Sequence, residues 1–207
     1  MSLLPSTSRR ALQHTRTIQI DAFIREDGLW ELDAHITDIK ANDLKLARGI
    51  LPAGEPVHSL WLRITLDHQY IIVAVEANSE AVPYPGSCNT IAPAYKQLVG
   101  LSLLKGFRGM VKARIGGALG CTHLTELAQI LPTAAIQAFS HEPESNGIRA
   151  VDTEGQKPFQ IDSCHALRSD GAVVAQYYPR WAVHNPIAPI ATPVPPETSA
   201  PPEKESS

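Results

Sequence analysis

The chain has 207 residues, 43% of them apolar, with 18 basic and 21 acidic side chains and a net charge of -3. That suits one ordinary globular domain with tails. It argues against nucleic acid as a partner, since no basic run exceeds Arg9-Arg10, and against a membrane span, which needs ~18 consecutive apolar residues.

Residues 1–13 are polar and aperiodic and read as a flexible lead. Their order does not fit a signal peptide, so a cytoplasmic protein with reduced thiols is expected. From Thr15 to Arg25 the pattern alternates, with Ile18, Ile20, Ala22 and Ile24 on one face of a half-buried strand. Glu26-Asp27-Gly28 is a hairpin turn. Leu29 to Ile39 alternates again: Trp30, Leu32, Ala34 and Ile36 face one way, and Glu31, Asp33, His35 and Thr37 the other. Residues 40–56 read as a connection. A third strand covers 57–66, with Leu60, Leu62, Ile64 and Leu66 on one face. After the turn Asp67-His68-Gln69, a fourth runs from Tyr70 to Ala77. Its nearly continuous apolar run predicts a central place in the sheet. Strands with short joins predict an antiparallel meander.

The period then changes. Asn89 or Thr90 as cap, Pro93 in the first turn and Gly100 past the end predict a helix. A second is expected from Lys105 to Ile115, before Gly116-Gly117. A third opens at Cys121 or Thr122, with Leu124, Leu127, Ala128 and Leu131 at helical spacing. Pro132 bends or ends it, or it continues from Ala134 to Phe139. Residues 140–158 read as an irregular loop, and Ala172 to Tyr178 as a short strand. From Asn185 the chain is proline-rich and reads as a disordered tail. The expectation is one α+β domain over 14–184: an antiparallel meander with about three helices on one face.

Chemistry is concentrated in the cysteines. The odd count of 3 argues against a closed disulfide framework. Cys88 and Cys121 each precede a predicted helix, whose free N–H groups and dipole favour an anion such as a thiolate. His123 follows Cys121 by two residues, and His165 adjoins Cys164. Cys88, Cys121, His123, Cys164 and His165 together are enough donors for a four-coordinate zinc ion or an iron–sulfur cluster. The spacings match no compact finger motif, so convergence must come from the fold. Buried core cysteines with a capping histidine are the alternative.

Asp33, His35 and Asp38 form a second group. Asp33 and His35 share a face and suit a hard cation or a base pair, or simply a solvated strand face. His58 shares the alternation of Leu60 and Leu62 and reads as a hydrogen-bonded core histidine. Gly116-Gly117-Ala-Leu-Gly120 could admit an anion but lacks the lysine of a P-loop. Tyr177-Tyr178-Pro179-Arg180-Trp181 reads as packing rather than an aromatic docking patch.

His14-Thr-Arg16, Asp33-Ala-His35-Ile-Thr-Asp38, Pro83-Tyr-Pro-Gly-Ser-Cys88, Gly120-Cys121-Thr-His123-Leu, Cys164-His165-Ala-Leu and Tyr178-Pro-Arg-Trp181 resemble an uncharacterised bacterial family, a domain of unknown function. That likeness covers about 14–181 and implies no activity. The order of hairpin, cysteine, helix, second cysteine and helix also resembles the iron–sulfur cluster scaffold proteins. It implies an α+β fold with ligands on loops at one end, and matches Cys88 and Cys121 to two scaffold cysteines. The scaffold's early cysteine is absent, with Asp33 or His35 in its region, and Cys164-His165 lies beyond the matching part. The expected function is a metal- or cluster-binding accessory protein, with a protein as partner. The alternatives are a thiol- or metal-dependent hydrolase or transferase, and a binding module with buried cysteines.

Overall fold

The structure, a computed structural model, describes residues 4–145 and 155–183, in two compact units numbered 1–151 and 152–207. The first unit is α+β. Its antiparallel sheet has the order β1(His14–Ile24), β2(Trp30–Lys40), β5(Pro56–Leu66), β6(Ile72–Ala81), and a small hairpin of β3(Leu44–Leu46) and β4(Gly49–Leu51) interrupts it. The meander is as the alternation predicts. The β3–β4 hairpin lies in what the sequence presents as a plain connection.

β1 and β2 pair without a slip from His14–Lys40 to Ile24–Trp30. The turn between them places Gly28 at φ 82°, where a Cβ would be strained. On β2 the even positions Trp30, Leu32, Ala34, Ile36 and Asp38 are buried. β5 lies antiparallel beside β2, with Trp30 opposite Leu66 and Asp38 opposite His58. The fourth strand is at an edge, not the centre. The pairing slips between Thr65 and Leu66, so Ile72 and Val75, three apart, both turn inward while Val73 stays 42% exposed. An irregularity of this kind makes an edge strand look continuously apolar.

The first predicted helix is instead a pair of 3-10 turns, Cys88–Thr90 and Ala92–Leu98. Tyr95 and Leu98, spaced three apart, are its buried residues, and that spacing suits a 3-10 face. Helix α1(Phe107–Ile115) buries Phe107, Val111 and Ile115 and ends at Gly116, where a Cβ would stand 2.3 Å from the Lys112 carbonyl oxygen. Helix α2(Thr122–Phe139) runs on through Pro132 and buries Leu124, Leu127, Ala128, Leu131, Ala135 and Phe139.

α2 packs on the inner face of the sheet, against β2, β5 and β1. His123 at its start lies over Asp38, and Phe139 at its end stacks on Trp30 at 4.6 Å. From His123 to Phe139 a helix spans about 24 Å at 1.5 Å per residue. From Asp38 to Trp30 a strand spans about 27 Å. The two lengths match, so one helix covers the whole apolar stripe and seats its first turn over the polar end.

In the second unit the predicted strand is helix α3(Ala172–Tyr177), opened by Gly171, whose carbonyl accepts the Ala175 N–H at 3.0 Å. Only Val174 in it is buried, which one helical turn satisfies and a strand in a sheet would not. Cys164 is exposed and precedes the 3-10 turn His165–Leu167. The expected proline-rich tail lies outside the described residues.

Candidate metal centre

The site begins as a row across the sheet: Arg16 on β1, Asp38 on β2 and His58 on β5 stand opposite one another. All three face inward, because alternate residues share a side. Asp38 is thus the polar end of an apolar stripe and is only 2% exposed. His14, two residues before Arg16, shares its face.

α2 supplies the fourth side of the site. Its entry is tightly fixed. The Cys121 N–H donates to the Tyr95 hydroxyl at 3.0 Å, and that oxygen lies 2.8 Å from both the Cys121 carbonyl and Thr125 Oγ1. Thr125 Oγ1 in turn donates to the Ile115 carbonyl at 3.2 Å. A Cβ on Gly120 would stand 2.2 Å from the Ile115 oxygen and 3.1 Å from the Tyr95 hydroxyl, so only glycine fits there. This passage aims His123 at the sheet.

Arg16 holds Asp38 with two hydrogen bonds, Nε to Oδ1 at 2.8 Å and Nη2 to Oδ2 at 2.9 Å. Its remaining nitrogen, Nη1, donates to Glu126 of α2 at 2.7 Å, tying the helix to the edge strand. His14 Nε2 lies 2.9 Å from Asp38 Oδ1. On the other side, His58 Nδ1 and His123 Nε2 both lie 3.1 Å from Asp38 Oδ2. Their rings overlap at 3.8 Å and 33°. His58 Nδ1 is buried, with the Asp38 carboxylate as its ion-pair partner.

Charge follows from this arrangement. Burial works against an ionised Asp38, but the Arg16 hydrogen bonds and charge, helped by His123 and His58, outweigh it and hold the carboxyl at about 2. Burial pushes His58 below its ordinary range, and the neighbouring His123 adds to this. Burial likewise lowers His123, against the pull of Asp38. At neutral pH the site is therefore one carboxylate with two uncharged imidazoles, each with a lone pair to give.

Asp38, His58 and His123 each offer one donor atom within 4.8 Å of the other two, the one such three-donor group among the described residues. Donors sharing a tetrahedral ion at ~2.05 Å stand about 3.3 Å apart, and neighbours in an octahedron about 2.9 Å. The 3.1 Å separations of the two nitrogens from Oδ2 fit that range. Two imidazoles and a carboxylate are also a donor set used by zinc and by ferrous iron.

Of the residues expected to be ligands, His123 is in this group. Cys121 is beside it, with Sγ 3.9 Å from His123 Nδ1. Cys88 is half-buried at the start of its 3-10 turn and is outside the group. Cys164 and His165 belong to the second unit. Asp33 and His35 lie on the outer face: Arg63 grips Asp33 through two bonds of 2.6 Å, and His35 stacks on Trp61. Asp38 and His58 were visible as single residues but not as a pair. The available signal was that each sits on the apolar side of its strand's alternation, where a charged or polar residue needs a partner.

Residues 14–137, more than half of the chain, match a family described as a protein of unknown function, DUF2889. The chain belongs to that family. The DUF2889 match contains every residue of the three-donor group, with His14 at its first position. No curated protein and no solved structure matches the chain. Among the described residues no helix is long and apolar enough to cross a membrane.

Proposed function

We propose that this DUF2889 protein binds a single divalent transition-metal ion, zinc or ferrous iron, through Asp38, His58 and His123. It would serve as a metal-binding accessory protein. The observation that carries the reading is the convergence of one carboxylate oxygen and two neutral imidazole nitrogens within 4.8 Å. The same donor set favours a mononuclear ion over an iron–sulfur cluster, which is held by several thiolates. Arg16 and His14 would position the carboxylate from behind, as outer partners of metal ligands do.

Metal analysis of protein purified anaerobically without chelator tests this. About one equivalent of zinc or iron, lost in Asp38→Ala, supports the reading; below about a tenth of an equivalent rejects it.

A second reading rests on a separate contact. Cys121 Sγ, His123 and Asp38 stand in series, at 3.9 Å and 3.1 Å, in the order nucleophile, base and orienting carboxylate. Such a series would suit a thiol-dependent hydrolase or transferase. Alkylation separates the two. Rapid modification of Cys121 in metal-free protein, slowed by His123→Gln, supports the thiol reading. Full metal occupancy after Cys121 is alkylated supports the metal reading.

A further inference from the structure

The outer face of the sheet holds a second feature, independent of the metal centre. A groove of about 400 Å³ is lined by Asp33, Trp61, Arg63, Glu76, Asn78 and Glu80. Its logic follows from register. Trp61 on β5 stands between His35 on β2 and Asn78 on β6. The His35 ring lies parallel to the indole at 3.8 Å and 3°, so it covers one face. Trp61 lines the groove together with the alternate β6 residues Glu76, Asn78 and Glu80, which form a wall.

The charge of the groove is one-sided. Three carboxylates line it against one guanidinium. Arg63 is turned to Asp33, with both bonds at 2.6 Å, and only grazes Glu76 at 3.9 Å. Glu80 accepts the Ser59 hydroxyl at 2.8 Å. That hydroxyl, and then the Trp61 indole, lower the Glu80 carboxyl, which keeps it ionised.

We propose that this groove binds an organic cation, an alkylammonium or guanidinium group, against the Trp61 indole and between the carboxylates of Glu76 and Glu80. An indole face attracts such cations through its quadrupole, and a nearby carboxylate fixes their place. The size suits a small ligand or one long side chain. A bare metal ion is the poorer occupant, since these carboxylates do not form a three-donor group. An anion would meet the excess of negative charge.

The test is a titration of the full chain with agmatine, followed by the Trp61 indole N–H resonance, assigned from Trp61→Phe. A blocked peptide, acetyl-Gly-Arg-Gly-amide, is titrated in parallel. The expected result is a saturable shift with a Kd near ~1 mM. It should weaken ~5–10-fold in Glu80→Gln and again in Glu76→Gln, and fall with added salt. Both glutamates are at the surface edge strand, so these variants keep the fold. Tighter binding of agmatine marks a free small molecule as the source of the cation, and tighter binding of the peptide marks a partner's side chain. No saturable shift with either probe up to ~10 mM overturns the proposal. So does an equal response to propanesulfonate, or binding unchanged in both glutamate variants.

Discussion

Replacing Asp38 by asparagine keeps the shape of the side chain and removes its charge. The carboxyl is held at about 2 against an ordinary value of 3.8. That shift corresponds to about 2 kcal/mol of folding stability at pH 7. Because the folded value is the lower one, this contribution is complete above the ordinary carboxyl range and disappears as pH falls through about 2. Urea unfolding at pH 7 in chelator, followed by tryptophan fluorescence, should show Asp38→Asn less stable by about 2 kcal/mol. Most of that loss comes from the Arg16 pair, whose second anchor on Glu126 remains in the variant. Zinc at ~100 times its Kd should then add about 2.7 kcal/mol to the native protein and much less to the variant. A variant within about 0.5 kcal/mol of the native protein in chelator would refute the electrostatic reasoning. Equal stabilisation of both by zinc would remove the carboxylate from the donor set.

The two histidines should give a separate pH dependence. Both are lowered in the folded state, so the unfolded chain takes up protons first. Stability should be full above the ordinary imidazole range and decline as pH falls through it, with a shallower slope in His58→Gln, measured by urea unfolding between about pH 7 and 5. Gly120→Ala places a methyl 2.2 Å from the Ile115 carbonyl oxygen. It should cost about 1–3 kcal/mol and lower metal affinity by tilting the start of α2, read by thermal unfolding and metal titration together. Tyr95→Phe removes the hydroxyl that accepts the Cys121 N–H, and a loss of about 1–2 kcal/mol is expected in the same unfolding assay. Cys121→Ser should leave metal stoichiometry unchanged, because its sulfur is outside the three-donor group; loss of metal would enlarge that group.

The fold was largely legible because its signals are local. Period-two alternation marks β1, β2 and β5, and the Asp27-Gly28 turn marks their first hairpin. Leu124, Leu127, Ala128 and Leu131 mark α2. Where local signals mislead, another residue is responsible. The pairing slip near Leu66 made an edge strand look central. The cap at Asn89 or Thr90, Pro93 and Gly100 suit either kind of helix, and the stretch between them folds as 3-10 turns that bury Tyr95 and Leu98.

Local patterning dictates an antiparallel sheet with one buried face, about three helices over it, and His123 in the first turn of the third. All of this depends on neighbours within a few residues. Long-range packing is what brings His123 to Asp38 and His58, which are 85 and 65 positions away along the chain. Strand register and the matched lengths of helix and stripe bring those atoms together, and neither is written in the spacing of the polar residues. Cysteines beside turns are conspicuous along the chain, whereas the carboxylate at the end of an apolar stripe is the centre of the site only through the fold.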